Sequence, residues 1–307
     1  MSRIYEALQR ADLERKAAQE SGGELPTAPK ISNSVEEPPR LEANFILENI
    51  AHHRWSPSVS SFPTLSDRGA GVEQFRRLRS RVYQARYEAP LKTLLISSGV
   101  PSEGKSFVVA NLAMSLARHS MNNILLIDAD LRRPTIHTLL GAPNVPGLSE
   151  YLSGSADLHE IMQRDSTPPA PTGSLINSVP NFTLIPAGKC GDNSSELIAN
   201  RRVEELVKTL SPYFDWILID SPPVLAVTDA IDLARAADGV LLVVRGASTP
   251  FDVAQRAQAS FANSRIVGFV LNDVKDAPQA GSYYYYYYGA PEPGSGAKHR
   301  KDAQAQG

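Results

Sequence analysis

Residues 93–107 read Thr-Leu-Leu-Ile-Ser-Ser-Gly-Val-Pro-Ser-Glu-Gly-Lys-Ser-Phe. Thr93 to Ile96 is a short apolar run of the kind that forms a buried strand. Gly99 to Ser106 fits G-x-x-x-x-G-K-[ST], and a helix is predicted from Lys105 to about His119. Strand, glycine loop and helix in that order predict a phosphate-binding loop. Its backbone N–H groups converge with those of the helix start on an anion, and its glycines let the backbone come close. Lys105 supplies a positive charge for the terminal phosphates, and Ser106 a hydroxyl oxygen for Mg²⁺. The candidate nucleotide contacts are Gly99, Glu103, Gly104, Lys105, Ser106 and Phe107.

Two further apolar runs end in carboxylates. Ile124 to Ile127 leads into Asp128, Ala129, Asp130, Leu131 and Arg132, and Trp216 to Ile219 leads into Asp220. In open parallel sheets ligands lie beyond the carboxyl ends of the strands, so both acidic ends should point at the phosphates. Asp220 reads as the residue that holds Mg²⁺, together with Ser106. Asp128 or Asp130 could accept a proton from an attacking hydroxyl, bind the metal's shell, or cap a helix before Pro134. Arg132 could stabilise transferring charge or pair with Asp130. Lys105, Asp128 and Asp130 are the candidate catalytic residues.

Outward from these motifs, Phe182 to Ile185, Val240 to Val244 and Ile266 to Leu271 read as further strands. Helices fit at Ser195–Leu210, Asp229–Ala236 and Phe251–Asn263. Apolar strands alternating with helices predict an α/β fold of the P-loop NTPase class, a mostly parallel sheet with helices on both faces. Upstream, Gly71 to Glu88 is expected to be a helix with Phe75, Leu78, Val82 and Tyr83 on its apolar stripe. The organisation predicted is an amphipathic helix over 1–20, a largely disordered linker over 21–70, the P-loop domain over 71–272 and a flexible tail over 273–307. Pro168 to Gly173 reads as a surface loop.

The chain has 307 residues and is 42 % apolar, enough for one sizeable core. Its net charge of −2 points to no nucleic-acid partner. The single cysteine, Cys190, allows no internal disulfide and suggests a reducing compartment. Neither Cys190 nor the six histidines show metal-site spacing. No apolar run approaches a membrane span, and the charged start lacks a signal-peptide core, so a cytoplasmic location is expected.

Six of the eleven tyrosines are consecutive, Tyr283 to Tyr288. A packed core has no use for such a run, and the flanking Gly281, Ser282, Gly289 and Pro291 predict a mobile tether. Phenols on a tether beside a phosphoryl-transfer domain read as a self-presented substrate. About ten residues separate Asn272 from Tyr283. That span reaches roughly 17–19 Å as a flexible chain, which favours transfer to a neighbour's tail over transfer to its own.

These motifs resemble the bacterial tyrosine kinases of polysaccharide synthesis, which share the scaffold of the MinD and ParA ATPases. The resemblance rests on Pro101-Ser-Glu-Gly-Lys-Ser106, on Asp128-x-Asp130-x-Arg132 and on Ile219-Asp-Ser-Pro-Pro223. It spans about Gly71 to Asn272 and extends to the tail. It implies ATP and Mg²⁺ as cofactors and autophosphorylation of Tyr283, Tyr284, Tyr285, Tyr286, Tyr287 and Tyr288. Glu73-x-x-Arg76-x-x-Arg79 is similar to the element through which that family assembles into rings. The opening Met1-Ser-Arg-Ile-Tyr-Glu-Ala-Leu resembles the cytoplasmic branch tied to exopolysaccharide gene clusters. That branch implies a separate membrane chain-length partner, a location peripheral to the inner face of the membrane through it, and a cognate tyrosine phosphatase. The alternative is a switch ATPase of the ParA/MinD type, but those carry a lysine just after the first loop glycine, where this chain has Val100.

Overall fold

The computed structural model describes residues 50–274, apart from 58–59, 67, 120–121, 167–178, 180, 190, 192–193 and 200. The helix expected within 1–20, the proline-rich loop and the tyrosine run lie outside the described residues. In chain order the elements are β1 (Ala51–His53), α1 (Ala70–Glu88), β2 (Thr93–Ser98), α2 (Lys105–His119), β3 (Ile124–Asp128) and α3 (Ile136–Leu140). Then come α4 (Leu148–Ser153), α5 (Leu158–Ile161), β4 (Gln163–Asp165), β5 (Phe182–Ile185), α6 (Ser194–Ala199) and α7 (Arg202–Leu210). The last are β6 (Trp216–Asp220), α8 (Asp229–Leu233), β7 (Gly239–Arg245), α9 (Phe251–Ser260) and β8 (Ile266–Asn272).

The strands form one sheet in the order β1-β4-β5-β3-β6-β2-β7-β8. Every pairing is parallel except β4 with β5. Each residue of β2, β3 and β6 is buried, as continuous apolar runs covered on both faces must be. Successive side chains leave a strand on opposite faces, which divides the core in two. Leu95, Leu125, Ile127 and Ile219 pack under Leu148, Ile198, Leu206, Ala230 and Ala257 of α4, α6, α7, α8 and α9. Leu94, Ile96, Leu126 and Leu218 pack under Val82, Leu112 and Ile136 of α1, α2 and α3. Phe75 and Val82 are buried as the stripe on α1 predicts, with Leu78 and Tyr83 packed beside them.

The expected boundary at residue 71 is wrong, because the body begins at least twenty residues earlier. β1 extends the sheet edge alongside β4. Ile50, Trp55, Phe62 and Leu65 are buried in the core. Trp55 lies edge-on to Phe182, ring centroids 5.8 Å apart, and its Nε1 donates to Gln163 Oε1 at 3.2 Å. The Thr64 hydroxyl donates to Asn111 Oδ1 at 2.9 Å, and Asn111 Nδ2 donates to the Ser61 carbonyl at 2.9 Å, which ties this segment to α2. Its apolar residues are isolated among prolines, serines and histidines and so carry no helical or strand period.

The predicted helix Ser195–Leu210 is also two helices. Arg201 takes φ 50°, a left-handed conformation that ends one helix and starts the next at a new angle.

Candidate active site

Sheet order positions the site before any side chain does. β2 lies between β6 and β7, and β3 lies on the far side of β6, so the carboxyl ends of β2, β6 and β3 are neighbours. Register partners across β6 are Ile96 with Asp220 and Asp128 with Asp220. The chain turns from β2 through residues 99–104 into α2 with Gly104 at φ 89° and Ser102 at φ 66°. A Cβ on Gly104 would stand 2.0 Å from Asn272 Nδ2. Asn272, at the end of β8, donates from that nitrogen to the Glu103 carbonyl at 2.9 Å and so braces the loop. Among the described residues, no backbone acceptor takes the N–H groups of residues 104–107. They form the ring of donors that a phosphate requires.

The side chains converge at this turn. Lys105 Nζ lies 2.8 Å from Asp130 Oδ2 and 3.5 Å from Asp220 Oδ2. It is 3.1 Å from Ser106 Oγ, and Ser106 Oγ donates to Asp220 Oδ2 at 2.5 Å. Burial lowers the Lys105 ammonium pKa, but Asp220 and Asp130 outweigh it and leave the value raised. Burial, then the charge of Asp220, pushes the Asp128 carboxyl well above the ordinary range. Burial raises Asp220 as well, against the pull of Lys105 and the Ser106 hydrogen bond. Asp130 and Asp220 face the single Lys105 ammonium, so their ionised forms together leave negative charge for a second cation to balance. Ser106 and Asp220 are hard oxygen donors suited to Mg²⁺. Among the described residues no three His, Cys, Asp or Glu converge on a metal position. Mg²⁺ needs none, since it keeps waters and takes substrate phosphates around one or two protein ligands.

The two aspartates of the β3 end divide their work. Asp128 is fully buried, and its oxygens accept from the backbone N–H groups of Asp130 at 3.2 Å, Thr135 at 3.2 Å and Ile136 at 3.1 Å. It holds the turn and the start of α3. Asp130 faces the cleft and pairs with Lys105. Arg132 does not pair with Asp130. Its Nε lies 3.2 Å from Asp229 Oδ2, and it also donates to Ser195 Oγ, which donates to Asp229 Oδ1 at 2.7 Å. Glu103, expected among the nucleotide contacts, turns its carboxylate inward. It accepts from Val100 N at 2.9 Å and from the Thr249 hydroxyl, and so fixes the shape of the loop. Gly99 packs against Val253 and Ala257 of α9, and its carbonyl accepts from Leu225 N. The Phe107 ring stands edge-on to Phe75, 5.9 Å between centroids.

A cleft of about 590 Å³ opens at this cluster, walled by Ser102, Lys105, Phe107, Asp130, Arg133, Leu139, Pro222 and Pro223. Glu73, Arg76 and Arg79 line no part of it and lie on α1, where Arg76 Nη1 meets Glu73 Oε1 at 2.5 Å. Sequence reasoning missed Asn272, Asp229 and Ser195. The position of Asn272 as the last residue of an apolar strand was the available signal.

A family model described as an AAA domain matches residues 98–251. The chain is 31 % identical over 205 residues to the tyrosine-protein kinase YwqD of Bacillus subtilis, covering 66 % of this chain and 81 % of that protein. It is 35 % identical over 205 residues to the tyrosine-protein kinase wzc of Salmonella typhimurium, covering 66 % of this chain. It spans only 27 % of the length of that relative. Among solved structures, the kinase domain of the Escherichia coli tyrosine kinase ETK superposes with a TM-score of 0.60 at 32 % identity, covering 67 % of this chain and 76 % of that one. With the loop, the paired aspartates and the sheet order all in place, this chain belongs to the bacterial tyrosine-protein kinase family.

Proposed function

We propose that this chain is an ATP-dependent protein-tyrosine autokinase whose acceptors are Tyr283 to Tyr288. The observation that carries the reading is the convergence of Lys105, Ser106, Asp130 and Asp220 at one end of a cleft, in a chain that bears six consecutive tyrosines. The loop N–H groups and Lys105 hold the β- and γ-phosphates, with Lys105 leaving Asp130 to do so. Ser106 and Asp220 would hold Mg²⁺, which would supply positive charge to neutralise the phosphates. A tyrosine phenol enters along the wall of Phe107, Pro222 and Pro223. Its oxygen bonds to the γ-phosphorus as the bond from that phosphorus to the β,γ-bridging oxygen breaks, so that ADP leaves. Asp130, released from Lys105, takes the phenolic proton. Catalysis of this kind rests on positioning and charge stabilisation.

The same reading covers regulation. Transfer occurs in trans, within a ring built through Glu73, Arg76 and Arg79. The unmodified tail, residues 273–307, carries four positive and four negative side chains. Each phosphotyrosine adds about −1.5 to −2, so six take it to about −9 to −12. A tail so charged is repelled from the phosphates and from Asp130 of the next chain, and the ring disperses. Among the described residues no helix is long and apolar enough to cross a membrane. By the family resemblance, a membrane chain-length protein would hold the kinase at the inner face, a phosphatase would reset it, and the process governed would be exopolysaccharide synthesis.

The test is to incubate purified full-length chain with Mg²⁺ and ATP labelled on the γ-phosphate. Label recovered as phosphotyrosine on the chain supports the kinase. Label released only as inorganic phosphate means an ATPase of the ParA/MinD type and ends the proposal.

A further inference from the structure

Arg132 lines the cleft with Asp130 and Arg133, on the turn that follows β3. Its guanidinium is held by residues that do not line the cleft. Nε donates to Asp229 Oδ2 at 3.2 Å, and Nη2 donates to Ser195 Oγ, which donates to Asp229 Oδ1 at 2.7 Å. Asp229 is buried and is the first residue of α8. Residues 222–227, which run directly into α8, give the cleft Pro222, Pro223, Ala226 and Val227. That segment is fixed at its start, where Val224 N donates to the Ser98 carbonyl at 2.8 Å and Leu225 N to the Gly99 carbonyl at 3.2 Å. Its far end is fixed by α8, whose Ala230 and Leu233 share a core with Ile198 of α6. One arginine therefore ties the turn that carries Asp130 to the helix that ends this wall. Asp130 is itself held to the turn, since its Oδ1 accepts from Arg133 N at 3.0 Å while Oδ2 faces Lys105. A guanidinium bonded through two nitrogens is fixed in angle as well as in distance.

We propose that Asp229, with Ser195, is a positioning residue for the acceptor tyrosine. Through Arg132 it fixes the Asp130 turn against residues 222–227, and so sets where a phenol held on Pro222 and Pro223 meets the base. The proposal rests on the tyrosine-kinase reading and adds to it the group that brings base and acceptor wall into register. Misplacement by about 1 Å can cost about 10²-fold in rate. The phosphate loop is braced by other bonds, from Asn272 to the Glu103 carbonyl and from Val100 N and the Thr249 hydroxyl to the Glu103 carboxylate. Loss of the tie should therefore spare nucleotide binding.

Asp229→Asn isolates the tie. The amide oxygen can still accept from Ser195, whereas its nitrogen, a donor, meets the donor Nε of Arg132. In full chains with each of Tyr283 to Tyr288 replaced by Phe, a peptide of residues 280–290 serves as acceptor for ATP labelled on the γ-phosphate. Asp229→Asn should lower kcat for the peptide at least about tenfold, with the KM for ATP changed less than about twofold. Arg132→Lys, which keeps the charge but not the two-nitrogen grip, should fall between that variant and the wild type. If Asp229→Asn does not fold, Ser195→Ala takes its place with the same outcomes deciding. Normal peptide turnover, or a loss shared with ATP binding, overturns the proposal. A second measurement needs no turnover and reads amide hydrogen exchange in chains saturated with Mg²⁺ and ADP. Asp229→Asn should speed exchange about tenfold or more in residues 130–136 and in residues 222–229, and leave residues 99–107 unchanged. Unchanged exchange in either of the first two segments overturns the tie. A wild-type chain that labels no tyrosine refutes the kinase reading alone, and hydrogen exchange then decides whether Asp229 fixes the two segments.

Discussion

Lys105 Nζ and Asp130 Oδ2 lie 2.8 Å apart, with both side chains almost wholly buried. The ammonium group that should hold the terminal phosphates therefore rests on the carboxylate proposed to take the acceptor's proton. On the proposed mechanism, binding of phosphate to the one would free the other and link nucleotide occupancy to the availability of the base.

Lys105→Met should lower autophosphorylation by about 10²-fold or more, because phosphoryl transfer depends on charge stabilisation. It should also lower the melting temperature of the nucleotide-free chain, since Asp130 and Asp220 lose their counter-charge. Labelled-ATP assays and thermal melts read the two effects. Near-normal phosphotyrosine would remove Lys105 from the mechanism.

Asp128 and Asp130 should separate by phenotype. Asp128→Ala leaves three backbone N–H groups without their acceptor, which should cost about 1–3 kcal/mol in urea unfolding. Asp130→Asn keeps the hydrogen bond from Arg133 N, breaks only the ion pair with Lys105, and should lose at least about 10²-fold in rate, far more than its loss of stability explains. A stable but inactive Asp128→Asn beside an active Asp130→Asn would reverse the assignment of the base.

Gly104→Ala should abolish tight nucleotide binding. The residue sits at φ 89°, and its new Cβ would fall 2.0 Å from Asn272 Nδ2. Adding Asn272→Ala removes the clash but not the left-handed backbone, so the double variant should recover only part of the affinity for a fluorescent ADP analogue. Full binding by the single variant would show that the loop tolerates both.

The segment ahead of α1 should be essential to stability. Phe62→Ala empties a fully buried site and should cost about 3–5 kcal/mol in denaturant unfolding. A chain that begins at residue 71 should fail to fold, and one that begins at residue 50 should not.

Transfer in trans can be read by mixing Lys105→Met chains with chains that lack residues 281–307. Phosphate should appear on the Lys105→Met chains, which supply tyrosines but no catalysis. Its absence, with both proteins folded and the truncated chain still binding ATP, would confine transfer to one chain.

Much of this protein is legible in its sequence, because its decisive signals are local. Residues 93–106 carry strand, loop and helix start within one short stretch, and backbone sterics give such a stretch few alternatives. Asp128, Asp130 and Asp220 could be placed at the site because parallel strands bring their carboxyl ends to one edge wherever they pair. Tertiary structure alone decided which aspartate faces the cleft, that Arg132 binds Asp229 and Ser195, and that Glu103 braces the loop with Asn272. Those partners are 97, 63 and 169 residues apart in the chain, for Arg132 with Asp229, Arg132 with Ser195 and Glu103 with Asn272 respectively. The same holds for Ile50 to Leu65, whose scattered apolar residues have no period and find their core only when β4, β5 and α2 are already beside them. Local sequence settles conformation over a few residues, whereas the partner of a side chain is settled by the packing of elements distant in the chain.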